Sequence, residues 1–292
     1  MERQSTGIPA LDEHLGGGLL PGTLTVVVGA TGIGKSQLGV QFAEAGRGQE
    51  SRGGVFLDLS ARGDSQNHID YAQRICGWEI EDAREQRPPW EEFFAPDREF
   101  GDCLAIFGYR GRRVTRQDLD FDQWRNWQAE LNAKLQSTIG FLYGNFVQGV
   151  RRLVVDGVEP TDRPSDSIQF NLFEYIYHQV VRKEAEWVAR DLFRESYRSH
   201  AAAAAANVYD SKQIGCLLLY TSRETMLDDL IERPLDEGDV LSNANTLILM
   251  GKVKDGLKVR RGLFVAKHRG SACSDEILPY RIDSDGLHLE DA

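Results

Sequence analysis

A chain of 292 residues, 41% apolar and 27% charged, has the composition of a globular protein with a real core, and room for one large α/β domain or two small ones. Its net charge of −11 argues against general affinity for nucleic acid, which comes mainly from Lys and Arg neutralising phosphates. No apolar run approaches the roughly 18 residues of a membrane span, and "MERQSTGIPALDEHLGGG" lacks the apolar run of a secretory leader, so a cytoplasmic protein without a membrane segment is expected.

In chain order, "STGIPALDEHLGGGLLPG" offers Ser5 and Thr6 as helix caps, a short amphipathic piece, and a glycine run that ends it. "GTLTVVVGATGIGKSQLGVQFAEAG" reads as strand, Gly-rich turn and helix, with Leu24, Val26 and Val28 alternating with Thr25 and Val27. "GGVFLDLS", Gly53 to Ser60, is a second strand, and Ile69, Ala72 and Ile75 follow at helical spacing until Gly77 stops them. The prolines, aromatics and charges of "REQRPPWEEFFAPDR", Arg84 to Arg98, read as a surface excursion. "CLAIFGY" is a candidate strand, and Phe121 to Val150 a long helix. "RRLVVDGVEP" is a third core strand; Ser165 to Ala206, free of Pro and Gly, is expected as one long helix or a helical hairpin. "IGCLLLYTS" is a fourth core strand, and "NTLILMGKVKDGLKVRRGLFVAKHRG" a β-hairpin turned at Asp255-Gly256. Alternating strands and helices with a C-terminal hairpin imply an α/β fold, a mostly parallel central sheet flanked by helices, in a single domain over residues 1–292. Cys76, Cys103, Cys216 and Cys273 are scattered and read as free thiols. The basic stretches Tyr109 to Arg116 and Lys252 to Gly262 read as solvated surface.

The most informative stretch is "GATGIGKS": Gly29, Ala30, Thr31, Gly32, Ile33, Gly34, Lys35 and Ser36. It satisfies G-x-x-x-x-G-K-[ST] between a buried strand and a helix, the context in which that pattern carries weight. Glycines let backbone N–H groups converge on phosphates, Lys35 supplies a point charge at the β/γ oxygens, and the Ser36 hydroxyl ligates Mg²⁺. The helix beginning there aims its positive end at the same anion. Asp156, at the tip of "RRLVVDG", has the setting of a Walker B carboxylate that helps hold the metal.

These residues resemble the RecA superfamily of P-loop ATPases, and within it the KaiC-like circadian-clock branch. "TGIPALDEHLGGG" is similar to that branch's opening T-G-I-P-x-L-D-x-x-L-G-G-G segment, and "KHRGS" with "ILPYRI" to its K-x-R-G-S segment and closing I-x-x-Y-x-I strand. The likeness covers both ends and the core strands and thins out between, leaving family-divergent insertions at about 84–125 and 180–206. It implies an ATP-binding protein with Mg²⁺, assembled as a homo-oligomeric ring, usually a hexamer. In that ring Lys267 and Arg269 would reach the neighbouring subunit's γ-phosphate in trans, as arginine fingers do.

Hydrolysis requires a group that activates water. In the resembled family this is a Glu just after the second core strand, where this chain has Ser60 and Ala61. A serine hydroxyl is no general base at neutral pH. Asp58, on the same strand face as Ser60, is a substitute candidate, as are Asp64 and Glu159. The expected function is therefore an ATP-dependent regulatory switch with slow or absent turnover, its insertions open to a protein partner. Two alternatives stand beside it: a DNA recombination or repair ATPase, which the acidic charge opposes, and a nucleotide-sensing subunit without catalysis, which Ser60 favours. Ser242 and Thr246 mark the region that clock members autophosphorylate.

Overall fold

The computed structural model describes residues 2–60, 68–83, 93–95, 98–107, 121–160, 167–233, 243–271 and 274–290. Its frame is a nine-stranded sheet in the order β3-β2-β4-β5-β1-β6-β7-β8-β9. The strands are β1 (Leu24–Gly29), β2 (Val55–Asp58), β3 (Cys103–Ala105), β4 (Arg152–Val158), β5 (Gly215–Thr221), β6 (Thr246–Asp255), β7 (Lys258–His268), β8 (Leu278–Asp283) and β9 (Gly286–Leu289). The strands from β3 to β6 along this order pair in parallel, and those from β6 to β9 pair antiparallel. The expected hairpin is thus followed by a second one.

β1 is buried along its whole length because it lies between β5 and β6 with helices on both faces. Strand alternation divides its side chains between two cores. Val26 and Val28 join Leu57, Val155 and Leu218 on one face; Val27 joins Phe56, Val154, Leu219 and Ile248 on the other. The first face is covered by α4 (Phe121–Val147), α5 (Ile168–Ile176) and α6 (Ala185–Phe193), the second by α1 (Pro9–His14), α2 (Lys35–Gln49) and α3 (His68–Cys76). Two further helices, α7 (Tyr197–Ala206) and α8 (Leu227–Glu232), complete the set.

Three expectations change in detail. Residues 167–206, the described part of the expected 165–206 stretch, form neither one helix nor a simple hairpin. Beyond α5 comes a π-helical turn, Tyr177–Val181, then α6, a 3-10 turn at Arg194–Ser196, and α7. Glu184 is extended and Arg194 takes φ 48, and these two breaks let Val181, Ala185, Ala189 and Phe193 all reach the core. Packing overrides helix propensity here. The β6–β7 turn sits one residue later than expected: Asp255 pairs with Lys258, so Gly256 and Leu257 make the loop, Gly256 at φ 59. Ser5 and Thr6 do not cap α1, whose N-cap is Ile8. Both hydroxyls donate instead to the Asp12 carboxylate, which also accepts the Thr6 amide at 2.7 Å.

The two end motifs meet in space. His268 Nδ1 lies 2.8 Å from the Thr246 hydroxyl and its Nε2 3.0 Å from the Leu15 carbonyl. A Cβ on Gly16 would come within 3.2 Å of Ser271. The "LGGG" turn and the end of β7 therefore lock together. Among the described residues, no helix is long and apolar enough to cross a membrane. Cys76, Cys103 and Cys216 are free. Asp64, Trp90, Ser242, Cys273, the 109–116 stretch and the side chains of Trp124 and Trp127 lie outside what is described.

Candidate functional site

The site lies where β1 ends. Gly29 closes the strand, Ala30 to Gly34 form the loop, and α2 starts at Lys35. Two glycines hold conformations that other residues adopt only under strain: Gly32 at φ 77 and Gly34 at φ 113. A Cβ on Gly34 would also meet Ile282 at 2.6 Å, and Tyr280 Oη donates to the Ile33 carbonyl at 2.7 Å. The closing strands thus brace the loop from behind. Gln41 extends the brace, exchanging hydrogen bonds with the Leu287 amide and carbonyl at 2.9 and 3.1 Å.

Lys35 is buried, with 6% exposure, and Nζ donates to the Gly29 and Ala30 carbonyls at 2.8 and 3.0 Å. Burial lowers its pKa to about 8, against the opposing pull of the Asp156 carboxylate. An ammonium in this setting gains from any anion that enters the loop. Ser36 Oγ donates to Asp156 Oδ2 at 2.7 Å, so residues 120 positions apart in sequence converge on one point. Asp156 is 1% exposed, and its second oxygen accepts the Gly157 amide at 2.7 Å.

β2 runs beside β4 with Asp58 opposite Asp156, and neighbouring residues on paired parallel strands face the same way. Asp58 Oδ1 accepts the Ser60 amide at 2.7 Å. The carboxylate is therefore engaged in shaping the strand end. Ser60 is 5% exposed, and its hydroxyl makes no hydrogen bond among the described residues. Gln169 ties the two strand ends together, donating to the Leu59 and Gly157 carbonyls at 2.7 and 2.9 Å while its oxygen accepts the Glu159 amide at 3.2 Å. The apposition is tight: a Cβ on Gly157, at φ 85, would come 2.3 Å from the Ser60 nitrogen.

Sequence reasoning did not find His68. It begins α3, stacks on Phe56 at 4.9 Å between ring centroids, and places Nε2 3.6 Å from Asp156 Oδ2. The available signal was its place, one residue before the helical spacing that opens at Ile69.

A cavity of about 760 Å³ opens beside the loop, walled by Ala30 to Ile33 and by Lys252, Lys258, Arg260, Arg261 and Arg281. The volume falls within the range of small-ligand pockets. The 252–262 stretch is thus partly the wall of a cavity, not only solvated surface as its composition suggested.

Lys267 and Arg269 are not part of this site. Lys267 pairs with Leu247 whereas Gly29 pairs with Met250, which puts Lys267 two strands over and about 10 Å back along the sheet. Buried His268 turns its neighbours along the strand outward: Lys267 is half-buried, its pKa lowered first by desolvation and then by Arg269, and Arg269 is exposed.

A buried parallel strand, a glycine loop with its lysine, a helix N-terminus and a carboxylate two strands away define a P-loop protein of RecA-like architecture. Residues 4–88 match the family model described as ATPase: KaiC. A KaiC-like protein of the hyperthermophilic archaeon Pyrococcus horikoshii OT3 has a similar solved structure, with a TM-score of 0.51, 16% identity, and 99% of each chain covered. At that identity the likeness speaks for the fold. No curated protein matches the chain.

Proposed function

We propose that the chain binds Mg-ATP at Gly29 to Ser36 and works as a ring-forming regulatory switch whose hydrolysis is slow or absent. The observation that carries this reading is the Ser36–Asp156 hydrogen bond beside the buried Lys35 ammonium. A hydroxyl and a carboxylate are hard oxygen donors, which suit Mg²⁺ completed by phosphate oxygens and water. When bound, the cation neutralises charge on the β- and γ-phosphates. Lys35 grips the same oxygens, the loop amides and the α2 N-terminus hold the chain of phosphates, and the cationic cavity accommodates the rest of the nucleotide.

Slow turnover follows from the strand end. Ser60 stands where a general base is needed, and Asp58 is held by the Ser60 amide. The ring reading rests on Lys267 and Arg269. They are too far from their own loop to touch its ligand, but a head-to-tail neighbour would receive them at its phosphates. The helical segment at 180–206 supplies surface for a protein partner, with Trp187 54% exposed. Nucleotide affinity, phosphate release and mass by light scattering, measured together, test this. Tight Mg-ATP binding, phosphate release close to the blank, and a nucleotide-dependent rise from one copy toward six are expected. A mass of one copy at saturating nucleotide would overturn the ring. Brisk release abolished by Lys35→Ala would overturn the slow switch.

A further inference from the structure

The observation that the P-loop reading leaves over is His68. Its side chain is buried, with 3% exposure, and neither ring nitrogen makes a hydrogen bond among the described residues. A buried imidazole without a hydrogen bond is costly, and native structures rarely leave such groups without a reason. His68 Nε2 faces Asp156 Oδ2 at 3.6 Å, the same oxygen that accepts from Ser36 Oγ at 2.7 Å. At 3.6 Å the imidazole and the carboxylate do not share a hydrogen bond. The spacing does suit two ligands of one cation: metal bonds of about 2.1 Å at angles between 90° and 120° put donor atoms roughly 3.0–3.6 Å apart. The Phe56 ring fixes the imidazole plane, so the nitrogen is held in place.

We propose that His68 is a nitrogen ligand of the divalent cation, beside Ser36 and Asp156. The inference rests on the nucleotide-binding reading of the same loop. It changes the chemistry of the site. Hydroxyl and carboxylate alone suit Mg²⁺, which dehydrates reluctantly, whereas an imidazole shifts preference toward borderline transition cations. The cation class expected here is therefore a borderline first-row ion such as Fe²⁺, Co²⁺ or Zn²⁺ in preference to Mg²⁺, with Mn²⁺ serving as the paramagnetic probe of the site. The ligand set is Asp156 near the end of β4 and two side chains from first helical turns, Ser36 of α2 and His68 of α3. Among the described residues there is no cluster of three or more His, Cys, Asp and Glu side chains able to hold a metal without nucleotide, so binding should require the phosphates.

The test is electron spin-echo modulation on the full chain loaded with Mn²⁺ and ADP, with Mg-ADP affinity measured alongside. Imidazole nitrogen coupling to Mn²⁺ is expected in the wild type, and its loss in His68→Ala. His68→Phe, which keeps a ring against Phe56, guards against a folding defect and should lose the coupling too. Both variants should bind Mn²⁺ about tenfold or more weakly in the presence of ADP, a larger loss than the same variants show for Mg-ADP. A wild type that binds Mg-ADP and Mn-ADP but shows no nitrogen coupling overturns this inference and leaves the P-loop reading standing. Coupling that persists in His68→Phe overturns the assignment to His68. A wild type that binds neither complex overturns both readings.

Discussion

Lys35→Ala is expected to weaken Mg-ATP binding by on the order of 100-fold to 1,000-fold while the chain stays folded. Truncating one partner of a buried, hydrogen-bonded charge pair costs about 2–5 kcal/mol, roughly 30-fold to 4,000-fold in affinity, and the expected loss lies in the middle of that span. The phosphates would then face loop amides without the cation placed for them. In the free chain the loss is milder: the lysine's bonds are to the Gly29 and Ala30 carbonyls, and burial already disfavours its charged form. Calorimetric titration with Mg-ATP, paired with circular dichroism, separates the two effects. An affinity within threefold of wild type would show that phosphate is not held at this loop.

The second large effect is on stability. Arg152→Ala should destabilise the fold by about 3–5 kcal/mol, the usual result of breaking a buried ion pair from one side. Arg152 is fully buried at the start of β4 and pairs with Glu50 at 2.7 Å. It also donates to the Ser5 carbonyl at 2.6 Å and the Phe42 carbonyl at 2.7 Å, and its guanidinium lies 4.8 Å from the Phe42 ring centroid. One side chain therefore ties the N-terminal segment and the end of α2 to the central sheet. Thermal unfolding should shift down by roughly 10 °C. Arg152→Lys should recover little, because a single ammonium cannot replace a planar fork with several acceptors. A loss below about 1 kcal/mol in Arg152→Ala would mean that the surrounding carbonyls find other partners.

How much of this was readable in advance depended on sequence distance. The phosphate loop is local: strand, glycines, lysine and helix lie within one run, and each residue's part follows from its neighbours. Asp156 could be read from its strand, although its contact with Ser36 could not. Arg152 gave no sign, because what makes it important is Glu50 and Phe42, and nothing near it in the chain reveals them. His68 was hidden for the same reason, since only the folded sheet brings α3 against the tip of β4. The 165–206 region misled for the opposite reason. Its local propensity for helix is real, but core packing sets where the helices break. The hairpin turn was off by one residue because Asp255-Gly256 and Gly256-Leu257 each place a glycine where φ is positive, and the cross-strand register chose between them.

The central claim is that a loop near the thirtieth residue was built for a chain of phosphates, and one series of ligands tests it most directly. Adenosine, AMP, ADP and ATP should be titrated in turn, each with magnesium. Loop amides reach the α- and β-phosphates and the lysine the β and γ. Negligible binding of adenosine, weak binding of AMP, and a steep gain at ADP that ATP keeps are therefore expected. Affinities that stay flat across the series, or no binding by any member, would contradict it.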